Sequence, residues 1–268
     1  MRALVYPMHE LRAMWRNTRM IVLCAISAAL YAAILVPFKV VPLIPGVTEL
    51  RPANAIPVVC SFLFGPAGAW GSAIGNMIGD FFGGVSPGDS FGFIGNLAYG
   101  YIPYKLWSVI APRHSPVEGS WTARGAYVFC CLVASVLCAD FIGFGDNVLA
   151  IRLFYLLGNV VILNNMVSAL VLSPFILRAV YPRVQRGRVL YKDVMPELKN
   201  APRSQSLAGL AMLLIGTAGA WLSGNAISLG YWAPRFLPPS MVVVPYDKAI
   251  ALITGPFLFV AIVGLVLL

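Results

Sequence analysis

Charge is what this 268-residue chain has least of: 11% of its residues are Asp, Glu, Lys or Arg, against 59% hydrophobic. Soluble domains carry roughly 25% charged and 45–50% apolar residues, so an ordinary water-soluble fold is excluded. Histidine is almost missing. His9 and His114 are the only two, both outside the apolar runs, which excludes a histidine-built metal site or a Ser-His-Asp triad within a membrane. The five cysteines, Cys24, Cys60, Cys130, Cys131 and Cys138, form no CxxC and lie inside apolar stretches, where they read as small core residues. No GxxxxGK[ST] or HExxH occurs. Without a loop to cradle ATP phosphates any energy supply comes from another polypeptide, and neither catalysis nor a bound metal or cofactor is expected.

What is present is a series of long apolar runs, at about 20–38, 53–66, 68–84, 91–110, 125–144, 150–177, 207–223 and 247–268, eight candidate spans in all. A hydrocarbon core about 30 Å thick takes roughly 20 such residues per helix. Continuous runs with Gly and Pro inside them favour helices over the ten-residue alternation of a membrane barrel, so the expected class is an all-α membrane protein. Two spans, 53–66 and 68–84, are short and meet at "FGPAGAWG". They form either two squat helices or a re-entrant hairpin.

With eight spans both termini share one side, and the loops there hold fourteen of the nineteen Lys and Arg residues, Arg2, Lys199 and the "RVQRGR" segment among them. The positive-inside rule then places both termini in the cytoplasm. The net charge of +9 is read as orientation and contact with anionic lipids of the bilayer, not nucleic-acid binding. The first run is too long for a signal-peptide core and ends in "VPFK" without a cleavage site, so it is kept as a helix.

The polar residues inside the spans are few and, apart from Asn164, Asn165 and Ser168 near the middle of the sixth, gather at one level. Asn54, Asn76, Asp80, Asn96, Tyr99, Asp140, Arg152 and Asn159 all fall in the outer halves or ends of their helices, and Arg51 and Asn147 lie close by in sequence. Such side chains inside a bilayer mostly face protein or a wet cavity, so these ten are the candidate substrate-binding residues. Asn96 and Arg152 lead the set: an arginine at a helix end clamps a carboxylate or phosphate, and an asparagine beside a tyrosine suits an amide or ring nitrogen. Bonding between helices, including an Asp80–Arg152 pair, is the alternative use of the same groups. The outer part of the fourth span also carries Phe91, Phe93, Tyr99 and Tyr101, which fit either a flat aromatic nutrient or an interface belt.

Two small-residue patterns accompany this level. In "GAWGSAIGNMIGDFFGG", Gly71, Gly75, Gly79 and Gly83 recur every four residues, with Ser72, Asn76 and Asp80 one position on. The first stripe lets a neighbouring backbone come close, and the second is polar. In "CAISAALYAAI", Ala25, Ala29 and Ala33 make a flat surface for another helix, within the chain or on a partner.

Together with "IPVVCSFLFGPAGAWGSAIGNMIGD" and "FIGNLAYGYIPYKLW", these patterns resemble the substrate-binding S components of energy-coupling factor (ECF) transporters over roughly residues 15–180. The resemblance implies a six-helix core that captures a vitamin or related micronutrient from outside, in the cell membrane of a prokaryote. It further implies association, through Ala25, Ala29 and Ala33, with a transmembrane coupling subunit driven by two cytoplasmic ATPases, and a toppling motion that releases cargo inward. Residues 1–180 are accordingly expected to form the binding core, 181–206 a basic cytoplasmic linker, and 207–268 two further transmembrane helices that typical members lack. A self-sufficient secondary transporter or channel is the alternative, although no internal repeat is evident and the polar groups gather on one side.

Overall fold

The computed structural model describes residues 9–39, 41–44, 48–196, 202–231 and 246–268. Arg2, Lys199 and Arg235, part of the charge count, lie outside them. A short helix α1 (His9–Ala13) leads to α2 (Thr18–Phe38), whose first free amides are capped by the Asn17 side chain, an acceptor for Arg19 N and Met20 N. A two-stranded antiparallel hairpin, β1 (Pro42–Ile44) and β2 (Thr48–Glu49), follows. Next come α3 (Ala55–Phe64), α4 (Pro66–Gly83), α5 (Asp89–Ile110) and α6 (Trp121–Val148). Helix α7 (Phe154–Val167) runs through a π turn at Ser168–Leu172 into α8 (Ser173–Arg186), so the sixth expected span is one long interrupted helix that continues beyond its apolar run. A single turn, α9 (Tyr191–Val194), precedes α10 (Arg203–Ser228) and α11 (Asp247–Leu267).

The molecule is an all-α membrane protein. By length and composition, the helices α2, α6, α7 to α9, α10 and α11 are able to cross a membrane. Helix α3, at ten residues, reaches only about 15 Å. The glycines and polar residues that equip α4 and α5 for close packing also dilute their hydropathy. All ten residues of α3 are buried, because it sits inside a ring in which α4 packs on α2, α5 on α4, α6 on α5 and α7 on α6.

The α3–α4 turn is made possible by Gly65, whose φ of +52° suits a residue without Cβ, and Pro66 starts α4 where its missing N–H costs nothing. Tyr191 covers this turn and lies edge-on to Tyr104 at 5.2 Å between ring centroids. Met195 beside it is 1% exposed, and Asn17 Nδ2 donates to Val194 O. Residues 190–196 therefore close the end of the bundle instead of forming the free solvated loop that their basic surroundings suggest. The same end receives α1, where the buried Glu10 accepts from Tyr104 Oη at 2.8 Å and from Lys105 Nζ at 3.1 Å. Leu11 and Leu265 share one apolar cluster there, so the described N-terminal segment and the end of α11 meet at this terminus-side end.

Helices α10 and α11 pack on each other through glycines: a Cβ on Gly216 would lie 2.7 Å from Phe257 O, and one on Gly209 2.9 Å from Gly264 O. The pair docks on α6 and α7, where Phe154, 0% exposed, lies against Gly224.

Candidate functional site: a polar cavity at the far end

At the end opposite the termini, a cavity of about 140 Å³ opens among the hairpin, the ends of α2, α4 and α6, the start of α5, and α7. The glycine stripe explains how α4 serves it. Gly71, Gly75, Gly79 and Gly83 face Ser27, Ala28, Tyr31, Leu35 and Lys39 of α2 and its cap, and a Cβ on Gly75 would lie 2.8 Å from Ala28 O. With that face committed to α2, the neighbouring stripe turns Asn76 and Asp80 into the cavity. Gly92 of α5 lies opposite, where a Cβ would stand 3.5 Å from Asn76 Nδ2 and narrow the floor.

The wall is ionic and nearly balanced. Lys39 Nζ donates to Asp80 Oδ1 at 2.9 Å, Arg51 to Glu49 Oε2 at 3.2 Å, and Arg152 to Asp146 Oδ2 at 3.0 Å. Asp89 accepts from Ser86 N at 2.7 Å. Burial pushes the Glu49 carboxyl up, but the Arg51 and Lys39 charges and hydrogen bonds more than offset this and hold it below its ordinary value. Asn76 Nδ2 donates to Asp80 Oδ2 at 2.6 Å, while Asn76 Oδ1 and Arg51 Nε have no partner among the described residues. An unfilled acceptor and an unfilled donor thus belong to two cavity residues, where buried polar atoms normally find partners.

Four of the ten candidate residues, Arg51, Asn76, Asp80 and Arg152, line the cavity. Three more form a layer outside its lining. Tyr31 Oη donates to Asn54 Oδ1 at 2.8 Å and to Asn96 Oδ1 at 3.3 Å, Asn54 Nδ2 to Asn165 Oδ1 at 2.6 Å, and Tyr99 Oη to the carbonyls of Asn54 and Asn165. Asn96, a leading candidate by sequence, is thereby held by protein partners. The remaining three lie elsewhere. Asp140 is fully buried with neither carboxyl oxygen paired among the described residues, Asn147 accepts from Phe154 N at the start of α7, and Asn159 bonds Asn225 and Trp221 of α10. Asp80 pairs with Lys39 and not with Arg152.

Residues that the candidate set omits also reach the cavity: Lys39, Glu49, Asp89 and Asp146. Their signal was charge in Gly- and Pro-rich connectors. Asn164 and Ser168 of the sixth span hold the loop that carries Arg51, through Asn164 Nδ2 to Glu49 O and Ser168 Oγ to Arg51 O, both at 2.9 Å. The aromatic ring set is not brought together at the cavity. Phe91 packs on Phe144 and Gly145, Phe93 on Trp70, and Tyr101 on Tyr104, while Tyr99 is buried in the asparagine layer.

On the other side of α2, Ala25, Ala29 and Ala33 are exposed, whereas Ala28 and Ala32 are buried. Of the two uses open to this surface, internal packing is taken by the second alanine row. A family model described as QueT transporter matches residues 21–182.

The chain belongs to the QueT transporter family. QueT proteins are S components of ECF transporters, so this is a membrane transport subunit that binds a small molecule. The QueT match spans α2 to most of α8 and contains the whole cavity lining and the exposed alanine stripe. Helices α10 and α11 lie beyond it. Comparison with curated proteins and with solved structures returns no match.

Proposed function

We propose that this QueT-family chain captures a queuosine precursor from outside the cell in its far-end cavity and passes it inward with a separate ATP-driven module. In this reading the far end faces out and both termini face the cytoplasm of a prokaryote. Ala25, Ala29 and Ala33 meet the transmembrane coupling subunit, which two cytoplasmic ATPases drive. The observation that carries the reading is the cavity itself, where Asn76 Oδ1 and Arg51 Nε lack partners among the described residues within a nearly balanced ionic wall. A wall of paired opposite charges suits a hydrogen-bonding heterocycle better than a strongly anionic or cationic cargo, and the QueT family match supports a queuosine precursor as that heterocycle.

Calorimetric titration of the purified full chain with a queuosine precursor tests this. Arg51→Gln and Asn76→Ala are each expected to weaken binding by about tenfold or more, the loss of one or two hydrogen bonds in a buried site. Asn159→Ala, on the α10 side, is expected to leave it unchanged. Equal affinity across the three variants would remove the cavity from the reading. Uptake by the chain alone in a host lacking any coupling module would overturn the transport mechanism.

A further inference from the structure

A second and larger cavity, about 280 Å³, lies at the terminus-side end between the first turns of α6 and the junction of the π turn with α8. Its polar lining is mostly spent. Glu118 accepts from Ser115 N at 3.3 Å and lies 3.0 Å from His114 Nδ1, and Tyr127 Oη donates to Ala169 O at 2.9 Å. What stays available is two guanidinium groups, Arg124 of α6 and Arg178 of α8, neither with a carboxylate partner among the described residues. Arg124 sits over the Trp121 ring at 5.0 Å, and Trp121 is 83% exposed, as a residue at a membrane–water interface would be.

From Arg124 an apolar strip continues along one face of α6 at helical spacing, through Val128 to Leu132, both exposed. Leu170, exposed on the π turn, borders the same cavity. Eight residues of helix carry this strip about 12 Å away from the arginines. Positive charge at one end, an interfacial tryptophan beside it and an apolar strip leading away form the complement of one kind of molecule.

We propose that this cavity binds an anionic phospholipid, its phosphate between Arg124 and Arg178 and an acyl chain along Val128, Leu132 and Leu170. The site is separate from the cargo cavity and stands whether or not the cargo reading holds. A free phosphate offers the arginines the same chemistry but has nothing to lay on the apolar strip, which is why the lipid is favoured.

Native mass spectrometry of the full chain in mild detergent, incubated with phosphatidylglycerol or with phosphatidylcholine of the same acyl length, tests the proposal. The expected result is one retained phosphatidylglycerol, with a preference of about tenfold or more over phosphatidylcholine. The preference should vanish in the R124Q/R178Q variant. Val128→Trp, which fills the strip and keeps both arginines, should also reduce retention, so the proposal remains testable if the double variant misfolds. Equal retention of the two lipids, or a preference that survives in R124Q/R178Q, would overturn it. Displacement of the lipid by inorganic phosphate, with Val128→Trp having no effect, would reassign the site to a free anion and overturn it equally.

Discussion

At the scale of single residues, the cavity is a set of paired charges, and the pairs make distinguishable contributions. Glu49 and Arg51 are partly exposed, so their bridge is worth about 0.5–1 kcal/mol. Because the folded-state pKa of Glu49 is lowered, its stabilising contribution is complete above the ordinary value of 4.5 and is lost as pH falls through the lowered one. Wild type is therefore expected to melt about 1–2 °C above Glu49→Gln at pH 7, a difference that closes below about pH 4.5. Paired melting curves across that range check it. The depth of residues such as Asn76 and Asp80 was legible from their place in apolar runs. Their partners were not: sequence depth gives level but not azimuth, so Asn96 and Asn159 shared the level of Asn76 while facing other helices. Lys39, Glu49 and Asp146 escaped the set because connector charges carry no period from which to read a facing direction.

At the scale of elements, small-residue stripes were the most readable signal. Four glycines at spacing four called for a close helical neighbour without naming it, and the structure supplies α2. Gly75→Leu is expected to force α2 and α4 apart, since even the first added carbon would lie 2.8 Å from a backbone oxygen and 2.9 Å from Tyr31 Cβ. Overpacking of this kind typically costs about 1–3 kcal/mol, and more where backbone must yield. Size-exclusion chromatography and thermal melting should show aggregation or a lowered midpoint, while Val128→Ala on the lipid-facing side of α6 should show neither. What the sequence hid at this scale was the π turn and the role of residues 190–196. The first arises where Ser168 and Ser173 bond the backbone of the loop and of α3, a tertiary demand with no local signature. The second depends on Tyr191 finding the Gly65 turn, two segments far apart in the chain.

At the scale of the whole molecule, α2 separates two jobs. Its inner alanines and leucines hold α4, and its outer alanines are exposed, the surface proposed above to meet the coupling subunit. Ala29→Trp is expected to abolish co-purification with the coupling subunit and uptake while leaving cargo affinity within about twofold of wild type; pull-down and titration on the same preparation measure both. A matching loss of cargo affinity would show that the bulky residue disturbs the core instead. The all-helical class was legible from composition alone, because long apolar runs leave the backbone no other way to satisfy itself in lipid. The docking of α10 and α11 was not. Their hydrophobicity marked them as membrane helices, but whether they would cover the alanine stripe or the far side depended on Phe154, Phe144 and two glycines meeting in space.

Because α10 and α11 are fastened to α6 and α7, any tilting of the core in the bilayer carries them along as ballast. If the core topples as the resemblance implies, the moving body has a broader footprint than six helices would and must push aside more acyl chains with each swing. Membrane viscosity would thus weigh on its turnover: stiffer, more saturated membranes would slow delivery without altering how tightly the cargo is held.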